Sequence, residues 1–287
     1  MLGKLFVHEW KDTWKLMAIL NGAVLVLSVI GMGFAAMGNL SDIFDRSDAG
    51  NLWVFMMYFS FVMLYVLGIA ALSIGTILYF YIRFYRNMYT DQGYLMHTLP
   101  VTEHELILSK LLVAFIWRII GIIVMAIGIG AIAVTFMTST GDFFEDILPS
   151  FRDAYREFMN MMYDGKTAYF IVYLIVTLIT GIGSVIYSIF MGYAAISLGQ
   201  LAKKNRVLAS VGIFFGMLMV TSMISNFISQ FFMLFSMRTG SFVTDDFGKV
   251  GAVTIGSGVL TGILVYGAAA VFYFITWHIM KDRLNLE

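Results

Sequence analysis

The chain has 287 residues, 60% of them hydrophobic and only 13% charged, with a mean hydropathy of +0.86; that charged share is about half the usual one, too little to cover a water-facing surface. Eighteen basic and eighteen acidic residues cancel, which leaves no electrostatic case for nucleic acid as a partner. The absence of cysteine excludes disulfides and thiolate metal sites.

Read from the start, Leu2, Phe6, Trp10, Trp14 and Met17 recur every three or four residues, with Lys4, His8, Lys11, Asp12 and Lys15 between them. The spacing predicts an interfacial amphipathic helix over 1–15, with Phe6, Trp10 and Trp14 at headgroup depth. It serves either as an anchor alone or also as a docking surface for a cytoplasmic partner. The apolar run that follows lacks a small-residue cleavage site and reads as a retained span.

A helix needs about 20 apolar residues to cross the hydrocarbon, and six stretches qualify: Leu16–Met37, Leu52–Ile82, Leu106–Met137, Ala168–Gly199, Val207–Phe235 and Ala252–Met280. The fold expected is therefore all-α, a single transmembrane domain over 1–287. The second and third spans are long enough to project beyond the bilayer on the side of the segment joining them. Neither proline falls inside a span, so no proline-broken transport helix is expected.

That joining segment, 83–105, is the longest connection on its side. Gly93 is suited to a left-handed helix stop, and Pro100 forces its predecessor into an extended conformation. Thr102 and Glu105 have capping-box spacing, with Val101 and Leu106 placed as a hydrophobic staple. Between the glycine and the proline lies an apolar-aromatic elbow with Tyr94, Leu95, Met96 and Leu99. A solvated connector does not need these groups, and apolar groups exposed in a defined loop usually contact something.

In the third span Arg118 lies eight residues past Lys110, about 12 Å deeper. It either snorkels to the headgroups or faces a pore and receives an anionic substrate or lipid phosphate. Asn21, Asn226 and Gln230 are intramembrane polar groups placed to bridge helices. Gly212/Gly216 and Gly258/Gly262 have the GxxxG spacing that allows close backbone approach. In the long loop 138–167, Phe143, Ile147, Phe151, Tyr155, Phe158 and Met162 recur at helical spacing, which predicts an amphipathic helix on the outer leaflet or a substrate lid.

Loop charges set the orientation. Lys4, Lys11, Lys15, Arg83, Arg86, Lys110, Lys203, Lys204, Arg206, Lys281 and Arg283 fall on one side; Arg46, Arg152, Arg156, Lys166, Arg238 and Lys249 fall on the other. The positive-inside rule places the first group, and both termini, in the cytoplasm of a multi-pass cell-membrane protein.

Catalytic and metal motifs fail on inspection. Gly165-Lys166-Thr167 ends like a phosphate-binding loop, but Asn160 stands where that loop needs glycine. His8, His97, His104 and His278 have no ligand spacing. No catalytic group, metal or cofactor of the chain's own is expected.

The connector does resemble a family. Thr90-Asp91-Gln92-Gly93-Tyr94-Leu95, then His97-Thr98-Leu99-Pro100-Val101, and Ser109-Lys110-Leu111-Leu112 entering the next span are similar to permease subunits of type-2 ABC exporters from Gram-positive bacteria. Met1-Leu2-Gly3-Lys4-Leu5 before an aromatic-rich amphipathic segment shares the likeness. Gln92 stands where many members carry glutamate. The resemblance implies that six spans form half a pore, paired with a second permease. A separate ATPase, holding ATP and Mg²⁺, would dock on Asp91, Gln92, Gly93, Tyr94, Leu95, His97, Leu99 and Pro100. The cargo expected from an apolar cavity is an amphipathic or apolar peptide, lipid or drug. The competing readings are a secondary transporter or channel working without ATP, and a non-transporting membrane scaffold.

Overall fold

In hydrocarbon the backbone has no water to bond, so a chain this apolar must satisfy its amides and carbonyls within helices. The computed structural model describes residues 1–37, 49–90, 93, 100–139, 149–150, 152–153, 155–156, 159, 167–238 and 247–282. Among them are six long helices and no strand: α1 (Leu2–Met37), α2 (Ala49–Tyr89), α3 (Glu103–Ser139), α4 (Thr167–Gly199), α5 (Arg206–Arg238) and α6 (Phe247–Asp282). Each holds a stretch of 29 to 33 residues apolar enough to span a bilayer. The protein is an all-α polytopic membrane protein.

At 41 residues, α2 runs about 60 Å along its path, roughly twice the hydrocarbon thickness. The amphipathic segment 1–15 is not a separate element. It forms the first turns of α1, which continues unbroken to Met37. The line these turns bury is Glu9, Thr13 and Met17, spaced one turn apart, while Trp14 stays exposed. The buried Thr13 hydroxyl is satisfied by donating to the Glu9 carbonyl at 2.9 Å. In the loop 138–167, Arg152, Asp153, Tyr155 and Arg156 are helical and exposed, with Arg156 Nη1 3.7 Å from Asp153 Oδ1; Phe143, Ile147, Phe151, Phe158 and Met162 lie outside the described residues.

The chain divides into two compact units, one of residues 1–6, 80–115 and 159–287, the other of 7–79 and 116–158. In the first, α4 packs along α6 and against α5. Small residues let α4 and α6 approach closely: a Cβ at Gly258 would lie 2.9 Å from Val176 Cγ1, and one at Gly262 3.2 Å from Thr180 Oγ1. The sixth-span GxxxG pair therefore works within the chain. Among the described residues, Gly212 and Gly216 of the fifth span have nothing within 4 Å of where a Cβ would sit. The end of α2 enters this unit through aromatic packing. Phe84 stacks on Tyr193 with ring centroids 3.8 Å apart, and the Tyr81 hydroxyl donates to the Ser188 carbonyl at 2.6 Å. The Tyr89 and Ser197 hydroxyls share a buried hydrogen bond of 2.7 Å.

In the second unit the Ser28 and Tyr65 hydroxyls meet at 3.1 Å, beside Gly128, where any Cβ would collide with Ser28. The Trp10 and Trp117 rings stack with centroids 4.8 Å apart.

Candidate functional site

The connector between α2 and α3 leaves α2 at Tyr89. Beyond it the Gly93 amide donates to the Thr90 carbonyl at 2.6 Å. Gly93 is buried, and its φ is not in the left-handed region expected of a helix stop. Glycine is required here by close approach instead, because a Cβ would stand 2.5 Å from the Met88 carbonyl oxygen. Pro100 is exposed. Asp91, Gln92, Tyr94, Leu95, His97 and Leu99 lie outside the described residues.

The far side of the connector is a capping box of the expected form. The Glu105 amide donates to Thr102 Oγ1, and the Thr102 amide donates to Glu105 Oε2, both at 3.3 Å. The same carboxylate meets the Met1 amine at 3.3 Å through Oε1. Within the same turn, His104 stacks on Trp277 of α6 with centroids 4.9 Å apart and hydrogen-bonds the Tyr273 hydroxyl through Nδ1. Lys281 lies over the same indole, 5.2 Å from the Trp277 centroid. The start of α3 is thus fixed to α6 by side chains and capped from its own connector.

Lys110, counted with the interfacial cations, is only 5% exposed; its side chain lies inside the protein. The Tyr89–Ser197 and His104–Trp277 contacts gather the ends of α2, α4 and α6 with the start of α3. The cations of 83–110, of the α4–α5 turn and of Lys281 therefore share one end of the first unit, as the charge pattern anticipates.

Arg118 belongs to the second unit, where it lines a cavity of about 20 Å³ with Asn21, Ser73 and Thr76. That holds about one water molecule, against the several hundred Å³ of a ligand pocket. A peptide, lipid or drug does not fit beside Arg118 in this arrangement. Asn21 spends its amide on the Met17 carbonyl of its own helix, at 2.8 Å. Of the interfacial aromatics, Phe6 is half-buried in the first unit, while Trp10 in the second is held by its stack on Trp117.

A further feature escaped the sequence reading. On α5, Ser222, Ser225, Asn226, Ser229 and Gln230 are all exposed and, by their spacing, share one side of the helix. The hydroxyls of Ser222 and Ser229 bond carbonyls of their own helix at 2.9 Å. Asn226 and Gln230 make no hydrogen bond among the described residues, so they do not bridge helices of this chain there. The signal lay in the three- and four-residue spacing of polar groups within an apolar run.

No protein-family profile matches the chain, and no curated protein or solved structure does.

Proposed function

We propose that the chain is the membrane-spanning permease subunit of an ABC exporter. It pairs with a second permease, identical or homologous, and with separate ATPase chains that hold ATP and Mg²⁺. Its own part is transport, not hydrolysis. Both termini and the 83–105 connector face the cytoplasm, and the cargo is an amphipathic or apolar peptide, lipid or drug.

The observation that carries this reading is the polar side of α5. A side-chain amide left without a partner in hydrocarbon costs about 4–8 kcal/mol, so Asn226 and Gln230 do not face acyl chains. They are covered by a second permease or by the water of a transport path, and a permease half needs both. The capped start of α3 supports the coupling role. A helix whose first turn is held by Thr102 and Glu105 passes on a push from the connector instead of fraying. The sequence likeness at Asp91–Pro100 supplies the identity of the pushing partner.

The test removes the two side chains best suited to anchor in an ATPase cleft. Tyr94→Ala with Leu95→Ala should leave the permease inserted but lower its hold on the ATPase about thirtyfold, the effect of losing about 2 kcal/mol at an interface anchor. Permease-stimulated ATP hydrolysis should fall with it. A double variant that co-purifies with the ATPase and stimulates it as before would refute the coupling role. Failure of any ATPase to co-purify with the unaltered chain would refute the ABC reading itself.

A further inference from the structure

The α4–α5 corner is built tightly. The amides of Gln200, Leu201 and Ala202 donate to the carbonyls of Ser197, Leu198 and Gly199 at 3.1–3.2 Å, which closes the end of α4. Asn205 then takes φ of 54°, a left-handed conformation that asparagine tolerates better than most residues. Its carbonyl accepts the Ala209 amide at 3.0 Å and starts α5. Gly199 lets the two helices close up, since a Cβ there would stand 2.7 Å from Ser210 Cα. The turn therefore presents its side chains from a fixed frame.

Those side chains are Lys203, Lys204 and Arg206. With Tyr85 they line an open depression of about 600 Å³ that continues down α5 along Val207, Leu208 and Val211. Lys203 and Lys204 are exposed, and the three apolar residues are 58%, 68% and 46% exposed. Among the described residues, no acidic side chain lines the depression. Cations in the turn, an apolar wall beginning within one turn of them and running along a membrane-spanning helix, and a tyrosine in the lining match one kind of molecule. It has a negative head and hydrocarbon tails.

We propose that this corner binds the anionic headgroup of a membrane phospholipid, with Lys203, Lys204 and Arg206 around the phosphate and an acyl chain along Val207, Leu208 and Val211. Basic pockets beside spanning helices are suited to such headgroups, and the start of α5 adds the positive end of its dipole. The site does not depend on the transport reading, because charge and apolar wall belong to the corner itself.

The test uses the full-length protein in nanodiscs of phosphatidylcholine with one-fifth phosphatidylglycerol. Lipid retained after extraction into detergent is read by native mass spectrometry. The unaltered protein should retain phosphatidylglycerol in preference to phosphatidylcholine. Each of Lys203→Gln, Lys204→Gln and Arg206→Gln should lower that preference about fivefold, while Lys203→Arg with Lys204→Arg should keep it. Leu208→Ser with Val211→Ser should weaken retention of phosphatidylglycerol without abolishing its advantage over phosphatidylcholine. Glycerol phosphate, a headgroup without tails, should not displace the lipid. Equal retention of the two lipids by the unaltered protein, an unchanged preference in the triple glutamine variant, or full displacement by glycerol phosphate would each overturn the proposal. The last outcome would mark a free-phosphate site, and the second would leave the cations to some other partner, such as a protein.

Discussion

A single methyl group added at Gly192 tests the packing of α2 on α4 directly. The Cβ of Gly192→Ala falls on the ring of Tyr81, which has little freedom to retreat. That ring lies edge-on to Tyr193 and Phe214, with centroids at 6.5 and 5.7 Å, and its hydroxyl is tied to the Ser188 carbonyl. Three effects compete. Overpacking costs about 1–3 kcal/mol, and losing the tyrosine hydrogen bond about 1 kcal/mol more. Replacing glycine by alanine inside a helix returns about 0.8–1 kcal/mol. The last two cancel, so Gly192→Ala should destabilise the protein by about 1–3 kcal/mol. Gly216→Ala meets nothing within 4 Å and should be neutral or stabilising by up to about 1 kcal/mol. The assay is equilibrium unfolding of the full chain in mixed micelles with sodium dodecyl sulfate, followed by tryptophan fluorescence. Tyr81→Leu combined with Gly192→Ala should cost less than the two changes summed, because the leucine removes the ring that the methyl strikes. If Gly192→Ala proves as stable as Gly216→Ala, the packing of Tyr81 on α4 is not as described.

The cap on α3 makes its own prediction: Thr102→Ala should cost about 1 kcal/mol and speed hydrogen exchange in the first turn of α3 about fivefold. Glu105→Ala added to it should cost less than its separate effect, because the two cap bonds are reciprocal; full additivity would show that they act independently. For topology, a cysteine replacing Asp146 should be labelled by an impermeant reagent in intact cells and one replacing Lys204 should not, and the reverse would overturn the orientation argument. If Arg118 receives an anionic substrate group, Arg118→Leu should abolish transport at normal protein level while Arg118→Lys keeps part of it. Full activity in Arg118→Leu would reduce the residue to snorkelling.

The six spans were legible because hydrocarbon thickness imposes length and apolarity together, and no local competition obscures either. The capping box was legible for a related reason: Thr102 and Glu105 are three residues apart, so the geometry is contained in the spacing. Long-range pairs carry no such mark. Nothing distinguishes Tyr89 from the chain's other tyrosines until Ser197 is beside it, or Trp10 from Trp14 until Trp117 stacks on it. Glu9 and Thr13 went unassigned because a polar pair among lysines looks like a solvated face. The burial of Lys110 is not legible, because the charge rule reads position along the chain and not exposure. Gly93 was singled out for the wrong reason, handedness in place of the closeness of Met88. The spacing of the polar groups of α5 puts them on one side; that this side is left uncovered shows only in the fold.

The seam between α4 and α6 also bears on how the protein is made. During synthesis α4 enters the membrane well before α6, and the surface around Val176, Thr180 and Gly183 then has no glycine-lined neighbour to receive it. Tyr266, whose hydroxyl bonds the Ile179 carbonyl at 2.8 Å, and the pair Gly258/Gly262 arrive only with α6. The α4–α6 pairing is therefore necessarily a late event of assembly. A chain halted between α5 and α6 would expose the mating face of α4 to the membrane's quality-control proteases. Genetic lesions that truncate α6 should consequently act by loss of the whole protein from the membrane, through degradation, even though five helices have already been inserted.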